Sequence, residues 1–387
     1  MPMKPFEFAT AQRIVFGRKK LATIESCGEE LGEKTFIVTG ASQRFAPLLQ
    51  EILHTNKVAS TVFTVKGEPT VDLVTQAVQE MTQNHCTSVI SIGGGSAIDA
   101  GKAIAALATN PRDPLEYLEV IGKGRPMPHQ PFPFIAIPTT AGTGAEVTRN
   151  AVLGAPEQRV KVSLRSPKML PNVAIVDPAL TDCLPRQETA NAGLDALTQL
   201  IEPFLSSRAN PMTDALCREA IPMAIEALQE LAKSLDNLEA REALSYAALC
   251  SGLALANSGL GAVHGFAGPI GGMFSAPHGA ICARLLPFVL KANHQALHAR
   301  SKANPSVPRF QELGRMLTGQ ANANGMDGIS FIRDLSLEFD IAPLRTYGIQ
   351  LGDIPLIVEK AQKASSMKGN PIFLEDDELS EILSEAL

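Results

Sequence analysis

The chain has 387 residues, 45% apolar and 19% charged, with a net charge of -6. That length exceeds one small core and fits two domains or one large α/β domain, while the composition sets aside a disordered or fibrous chain. Basic residues form no long run that could follow a phosphate backbone, so nucleic acid is not an expected partner.

The opening "MPMKPFEFATAQRIVFG" lacks the basic start and apolar run of a secretory signal, and no apolar stretch approaches the length of a membrane span. The expectation is a soluble, cytoplasmic protein with no membrane partner. Cys27, Cys86, Cys183, Cys217, Cys250 and Cys282 are scattered without CxxC or zinc-ribbon spacing and read as reduced thiols.

In chain order, "TFIVTG" (35–40) is a β-rich run ended by Gly40, and "TVFTV" (61–65) is a second. "SVISIGGGS" (88–96) runs into a glycine cluster, and "FPFIAIPTTAGTG" (132–144) and "NVAIVDP" (172–178) follow. Helical patterns such as "VDLVTQAVQEMTQ" (71–83) lie between them, an alternation that predicts a mostly parallel, doubly wound sheet. After "DPALTDCLP" helical patterns dominate, over 186–204, 211–234, 238–259 and 279–298. The division predicted is an α/β domain over 1–183 and an all-helical domain over 184–387.

"SIGGGSAIDAGKAIAA" (91–106) reads as strand, three-glycine turn and helix. Backbone at Gly93, Gly94 and Gly95 can approach a ligand closely, and the free N–H groups of the following helix favour a phosphate or pyrophosphate. The segment is not a Walker A loop, since five residues separate Gly95 from Gly101 and Ala103 follows Lys102. It does not complete the GxGxxG fingerprint either. In the second loop, "IPTTAGTGAEVT" (137–148), Thr139, Thr140 and Thr143 offer hydroxyls for phosphate or ribose. Taken singly, the first loop has a tight strand-to-helix turn as its alternative reading, and the second is read as well as a plain polar loop.

His264 and His278 lie beside glycines in "GLGAVHGFAGPIGGMFSAPHGA" (259–280). Asp195 lies upstream on a helical pattern, with Gln199 one turn later on the same face. One carboxylate, two neutral imidazoles and an open position suit Zn²⁺ or Fe²⁺ acting as a Lewis acid on an alcohol or carbonyl oxygen. Two satisfied core histidines are the alternative.

Together these segments resemble the iron-containing (group III) alcohol dehydrogenase family, within the dehydroquinate synthase-like fold. The resemblance runs from about residue 5 to 385 and rests on "GEPT" (67–70), "GGGSAIDAGKAIA" (93–105), "PTTAGTGAEVT" (138–148), "LPNVAIVDPALT" (170–181), "GLDAL…IEP" (193–203) and "HGFAGPIGG…PHG" (264–279). It implies an N-terminal Rossmann-like domain for NAD(P), a helical C-terminal domain, and a cleft holding nicotinamide and metal. By position, Gly94, Gly95 and Ser96 take the pyrophosphate, with Asp99 and Lys102 near it, and Thr139, Thr140, Thr143 and Lys161 complete the cofactor site. The family's Asp-His-His-His ligand set falls on Asp195, Gln199, His264 and His278, and Asp195, His264 and His278 are the expected catalytic centre.

Three departures matter. Gln199 replaces an imidazole with an amide, a weaker donor toward Fe²⁺ or Zn²⁺. Gly268 stands where many members carry a proton-relay histidine, which points to an aldehyde with its own polar or anionic group. In "IVTGASQR" (37–44) Gly40 occupies the place of the acid that NAD-preferring members use, with Ser42 and Arg44 nearby, so NADP is expected over NAD.

The resulting expectation is an NAD(P)-dependent alcohol dehydrogenase or aldehyde reductase, a homodimer by family habit, acting on a small alcohol or aldehyde. The competing readings are a maleylacetate reductase-like enzyme, a non-redox lyase of the same fold, and a metal-free nucleotide-binding protein.

Overall fold

Six short apolar segments hydrogen-bond into one parallel sheet in the computed structural model, which describes residues 5–387. The first half runs β1 (Arg13–Phe16), α1 (Gly28–Leu31), β2 (Lys34–Gly40), α2 (Ala46–Thr55), β3 (Ala59–Val65), α3 (Val71–Gln83), β4 (Ser88–Gly93), α4 (Gly95–Thr109) and β5 (Phe134–Pro138). An antiparallel hairpin of β6 (Asn150–Ala155) and β7 (Val160–Arg165) precedes β8 (Val173–Val176). The sheet order is β1-β8-β5-β4-β2-β3.

Strand alternation divides the apolar residues between two cores. Phe36, Val38, Val89 and Phe134 face one side with Val74, Met81 and Ile104 from α3 and α4. Ile37, Ile90, Ile92 and Ile135 face the other side with Leu31, Leu49 and Leu53 from α1 and α2. Helices therefore cover both faces, which is why the strands read as nearly continuous apolar runs. The chain leaves β2 for β3 on one side and returns to β4 on the other, so the strand order reverses between β2 and β4. In such sheets the carboxyl ends at the reversal form the ligand crevice. Registers Thr39↔Ile92 and Gly93↔Pro138 bring the ends of β2, β4 and β5 side by side there.

The chain divides into two compact units, Ala9–Cys183 and a second of Leu184–Leu387 that also includes the described residues before Ala9. The second unit contains α5 (Arg186–Leu205), α6 (Pro211–Lys233), α7 (Leu238–Ser258), α8 (Ala262–Met273), α9 (His278–Arg300), α10 (Ser306–Thr318), α11 (Gly325–Glu338), α12 (Ile354–Lys363) and α13 (Asp376–Ala386), and no strand among the described residues. In it, α5 packs against α6, α7 and α9, while α8 packs against α9. Prolines stand inside α5 (Pro203), α8 (Pro269) and α9 (Pro287). No single helix among the described residues is long and apolar enough to cross a membrane.

The sequence expectation did not include β1, the β6–β7 hairpin or α8. The hairpin has alternating burial, with Ala151 and Leu153 facing inward on β6 and Val162 and Leu164 on β7. By contrast α8 is rich in glycine and carries an internal proline, so local propensity argues against it.

Candidate functional site

The N-terminus of α4 is an anion cradle built by leaving side chains out. Gly94 caps the helix in extended backbone and brings no side-chain acceptor, while Ala97 N already donates to Gly94 O, so the N–H groups of Gly95 and Ser96 are the ones an anion could engage. A Cβ on Gly95 would stand 2.7 Å from Thr143 Cγ2, and one on Gly93 would stand 3.2 Å from Gly40 N. The glycines thus let the threonine loop and the end of β2 close against the cradle. Thr139 N donates to Gly93 O at 2.9 Å, which ties the two loops together. Ser96, Thr139, Thr140 and Thr143 border the cradle with hydroxyls, the donors and acceptors that a phosphate or ribose requires.

Lys102 and Asp99 are engaged elsewhere. The buried Lys102 ammonium donates to Ala145 O (2.7 Å), Thr148 Oγ1 (2.9 Å) and Asn150 O (2.8 Å), so its three protons are used within the protein. Lys102 thus braces the threonine loop and β6 beside the cradle. Asp99 accepts from Val152 N at 3.0 Å and lies 3.8 Å from Lys102 Nζ. Burial, offset in part by Lys102, pushes Asp99 up to about 6. Burial likewise raises Glu146 to about 7 and lowers Lys102 to about 8. Lys161, on β7, pairs with Glu68 of "GEPT" at 3.1 Å.

At the end of β2, Gly40 has no atom within 4 Å of a would-be Cβ and does not occupy positive φ. Neither packing nor backbone strain therefore demands glycine there. Ser42 and Arg44 follow in the exposed turn, with the Arg44 guanidinium 5.7 Å from the Phe45 ring centre.

The second candidate site lies wholly in the helical unit. Asp195 comes from α5, His264 from α8, and His278 from the first turn of α9. The structure brings these three together and adds Cys282, one turn after His278. Asp195 Oδ1 lies 3.4 Å from His264 Nε2 and 3.8 Å from His278 Nε2. Cys282 Sγ lies 3.7 Å from each Nε2, and all four donor atoms are within 4.8 Å of one another. Asp195 Oδ1 is buried and accepts no hydrogen bond of normal geometry, an expensive state without a cation. These residues fit a divalent metal.

Glu202 orients the centre. Its Oε2 is 2.6 Å from His264 Nδ1 and its Oε1 accepts from Val263 N at 2.7 Å. The imidazole then donates through Nδ1 and presents the Nε2 lone pair to Asp195 and Cys282, as metal-binding histidines do. Glu202 and Asn370, which accepts from Ala262 N at 3.1 Å, also satisfy the start of α8, whose Gly261 supplies no cap. This remote capping explains how a glycine-rich segment forms a helix. Gln199, one turn after Asp195 on α5, accepts from Ser251 Oγ at 3.4 Å.

Electrostatics follow from the crowding. Burial opposes the Asp195 carboxylate, yet His278, His264 and Gln199 outweigh it and hold it down at about 2. Burial also opposes a charged His264, but Cys282, Glu202 and Asp195 raise its pKa. Burial pushes the Cys282 thiol up to about 12. Sequence reasoning missed Glu202, which lies in the quoted "IEP", and Cys282, whose signal is its four-residue spacing from His278. Gly268 has open space where a side chain would project.

The sequence and fold are similar to those of known proteins over the whole length of the chain. The profile described as "Iron-containing alcohol dehydrogenase" matches residues 11–178, and that of "Fe-containing alcohol dehydrogenase family, C-terminal" matches 189–387. The 1,3-propanediol dehydrogenase of Klebsiella pneumoniae is 32% identical over 395 residues, covering 100% of both chains. The NADPH-dependent butanol dehydrogenase of Clostridium saccharobutylicum is 30% identical, covering 97% of this chain and 96% of its own. The crystal structure of a 1,3-propanediol oxidoreductase superposes with a TM-score of 0.91 at 31% identity, covering 99% of this chain and 100% of that one. Full-length likeness of this kind defines an oxidoreductase of the alcohol dehydrogenase type. The chain belongs to the iron-containing alcohol dehydrogenase family, in which NAD(P) and a divalent metal are the working groups.

Proposed function

We propose that this protein interconverts a primary alcohol and its aldehyde with NADP(H) in preference to NAD(H), using a divalent metal held by Asp195, His264 and His278. The observation that carries the reading is the convergence of one unpartnered buried carboxylate oxygen and two imidazoles from three helices. When bound, the metal supplies Lewis-acid polarisation of the substrate oxygen and the nicotinamide carries the hydride.

The chain's own groups do the rest. Glu202 fixes the His264 tautomer through Nδ1, keeping Nε2 basic and aimed at the centre. The N–H groups at the start of α4 hold pyrophosphate, and Thr139, Thr140 and Thr143 complete the cofactor contacts with hydroxyl donors. No imidazole stands at Gly268, so the alcohol proton leaves through water or the substrate's own polar group. That fits a substrate with a second hydroxyl, in line with the 1,3-propanediol named for the full-length relative.

NADP preference rests on the missing acid at Gly40 and on exposed Ser42 and Arg44, which suit a 2′-phosphate. The NADPH named for the butanol dehydrogenase is consistent with it. Gly40→Asp is expected to reduce kcat/KM for NADPH about tenfold or more while sparing NADH, read by parallel steady-state kinetics. On family grounds we read the protein as a cytoplasmic homodimer divided at residues 183/184, with Fe²⁺ or Zn²⁺ as its metal.

The test is elemental analysis of the purified protein, paired with NADPH and NADH oxidation by hydroxylated and plain aldehydes before and after chelation. Stoichiometric metal and chelator-sensitive turnover are expected. Cofactor binding with neither metal uptake nor turnover, after Fe²⁺ and Zn²⁺ are supplied, overturns the reading.

A further inference from the structure

We infer that Cys282 is a metal ligand in this protein, supplying the fourth protein donor that the amide at Gln199 does not, and that the resulting Asp-His-His-Cys set selects zinc over iron. The inference rests on Asp195, His264 and His278 being the metal ligands.

Position makes the first argument. Cys282 lies one turn after His278 on α9, so both project to the same face. Its sulfur is fully buried and 3.7 Å from both Nε2 atoms. Tetrahedral bonds of about 2.0–2.1 Å to nitrogen or oxygen and about 2.3 Å to sulfur separate neighbouring donors by roughly 3.3–3.6 Å. The observed separations of 3.4, 3.7, 3.7 and 3.8 Å are close to that pattern. These are four of the six donor–donor separations, and all six are within 4.8 Å, so the four groups stand around one ion-sized space.

Gln199 makes the second. Its Oε1, the atom an amide would offer a metal, already accepts from Ser251 Oγ at 3.4 Å, and an amide oxygen is a weaker donor than a thiolate. Asp195 Oδ1, buried without a hydrogen bond, is an independent sign that the space among these groups belongs to a cation. Thiolate is a soft donor; combined with two imidazoles and one carboxylate in tetrahedral reach, it suits Zn²⁺. On binding, the Cys282 thiol loses its proton to solvent as the sulfur–metal bond forms, and no electrons are transferred. Four protein ligands still admit a substrate oxygen by expansion to five-coordination.

The experiment uses the full chain, stripped by chelation and titrated with Co²⁺ under anaerobic conditions as the spectroscopic substitute. Wild type is expected to take up one Co²⁺ with visible d–d bands and a near-ultraviolet thiolate-to-metal charge-transfer band. Cys282→Ala should keep the d–d bands, lose the charge-transfer band, bind Zn²⁺ at least about 100-fold more weakly, and show a narrower zinc preference in Zn²⁺/Fe²⁺ competition. Gln199→His in the Cys282→Ala background should regain affinity without the band. Cys282→Ser and far-ultraviolet circular dichroism of the apo forms guard against a folding defect. Co²⁺ uptake by wild type without the band, or a band that survives Cys282→Ala, overturns the role of Cys282 alone. No Co²⁺ or Zn²⁺ uptake by wild type overturns the metal-site reading and this inference with it.

Discussion

The two candidate sites are built on opposite principles. The cradle at the start of α4 works through atoms every residue but proline possesses, backbone N–H groups, and depends on side chains being absent at Gly93, Gly94 and Gly95. The cluster in the helical unit works through side-chain atoms from α5, α8 and α9, each in one position. Most substitutions can obstruct the first site without deleting its donors, whereas one substitution removes a donor from the second. The difference teaches how each is broken: the cradle by adding bulk at Gly93, Gly94 or Gly95, the cluster by deleting one side chain.

The sharpest way to break this contrast is His264→Ala. It should lower kcat/KM about 10³-fold through loss of Lewis-acid stabilisation, while nucleotide affinity measured by fluorescence titration stays within about twofold. Equal losses in both would show that the sites are not independent. Next in size is Glu202→Gln, expected to weaken metal affinity about 10–100-fold in chelator competition, because a neutral amide orients His264 less firmly.

The reverse perturbation is Gly95→Ala. Its Cβ would meet Thr143 Cγ2 at 2.7 Å, and overpacking of about 1–3 kcal/mol should raise the nucleotide Kd about tenfold with metal content unchanged. Thr143→Ser in the same protein should recover part of the loss.

The smallest effect is on stability. Burial raises Asp99 to about 6 and Glu146 to about 7, from ordinary values of 3.8 and 4.5. Between about pH 4 and 7 the folded protein keeps protons that the unfolded chain has released, so these two groups make stability fall as pH rises through that window. Glu146→Gln should flatten that slope by a few degrees of Tm across the window, read by thermal unfolding at pH 4.5 and 7.5. An unchanged slope would remove Glu146 as its source.

Much of the first unit was legible because its signals are local. β-rich runs, the glycine turn and the helix over 71–83 follow from strand alternation, positive-end anion binding and helical period, and the structure places α3 over those residues. The features that sequence does not reveal depend on distant partners. α8 has poor helical sequence and forms where Glu202 and Asn370 meet its first N–H groups. Lys102 carries no sign in its neighbours that its ammonium turns to Ala145, Thr148 and Asn150. Cys282 is different: the four-residue rule that pairs Asp195 with Gln199 also pairs His278 with Cys282, a relation that a search for CxxC spacing passes over.

The prolines in α5, α8 and α9 bear on what holds the helical unit in shape. Each removes a ladder hydrogen bond and costs about 3 kcal/mol of helix propensity. Segments so handicapped do not hold helical shape by themselves and acquire it as the surrounding bundle packs. Asp195, His264 and His278 are therefore held in place by the packing of the bundle and not by the local preference of the helices that carry them.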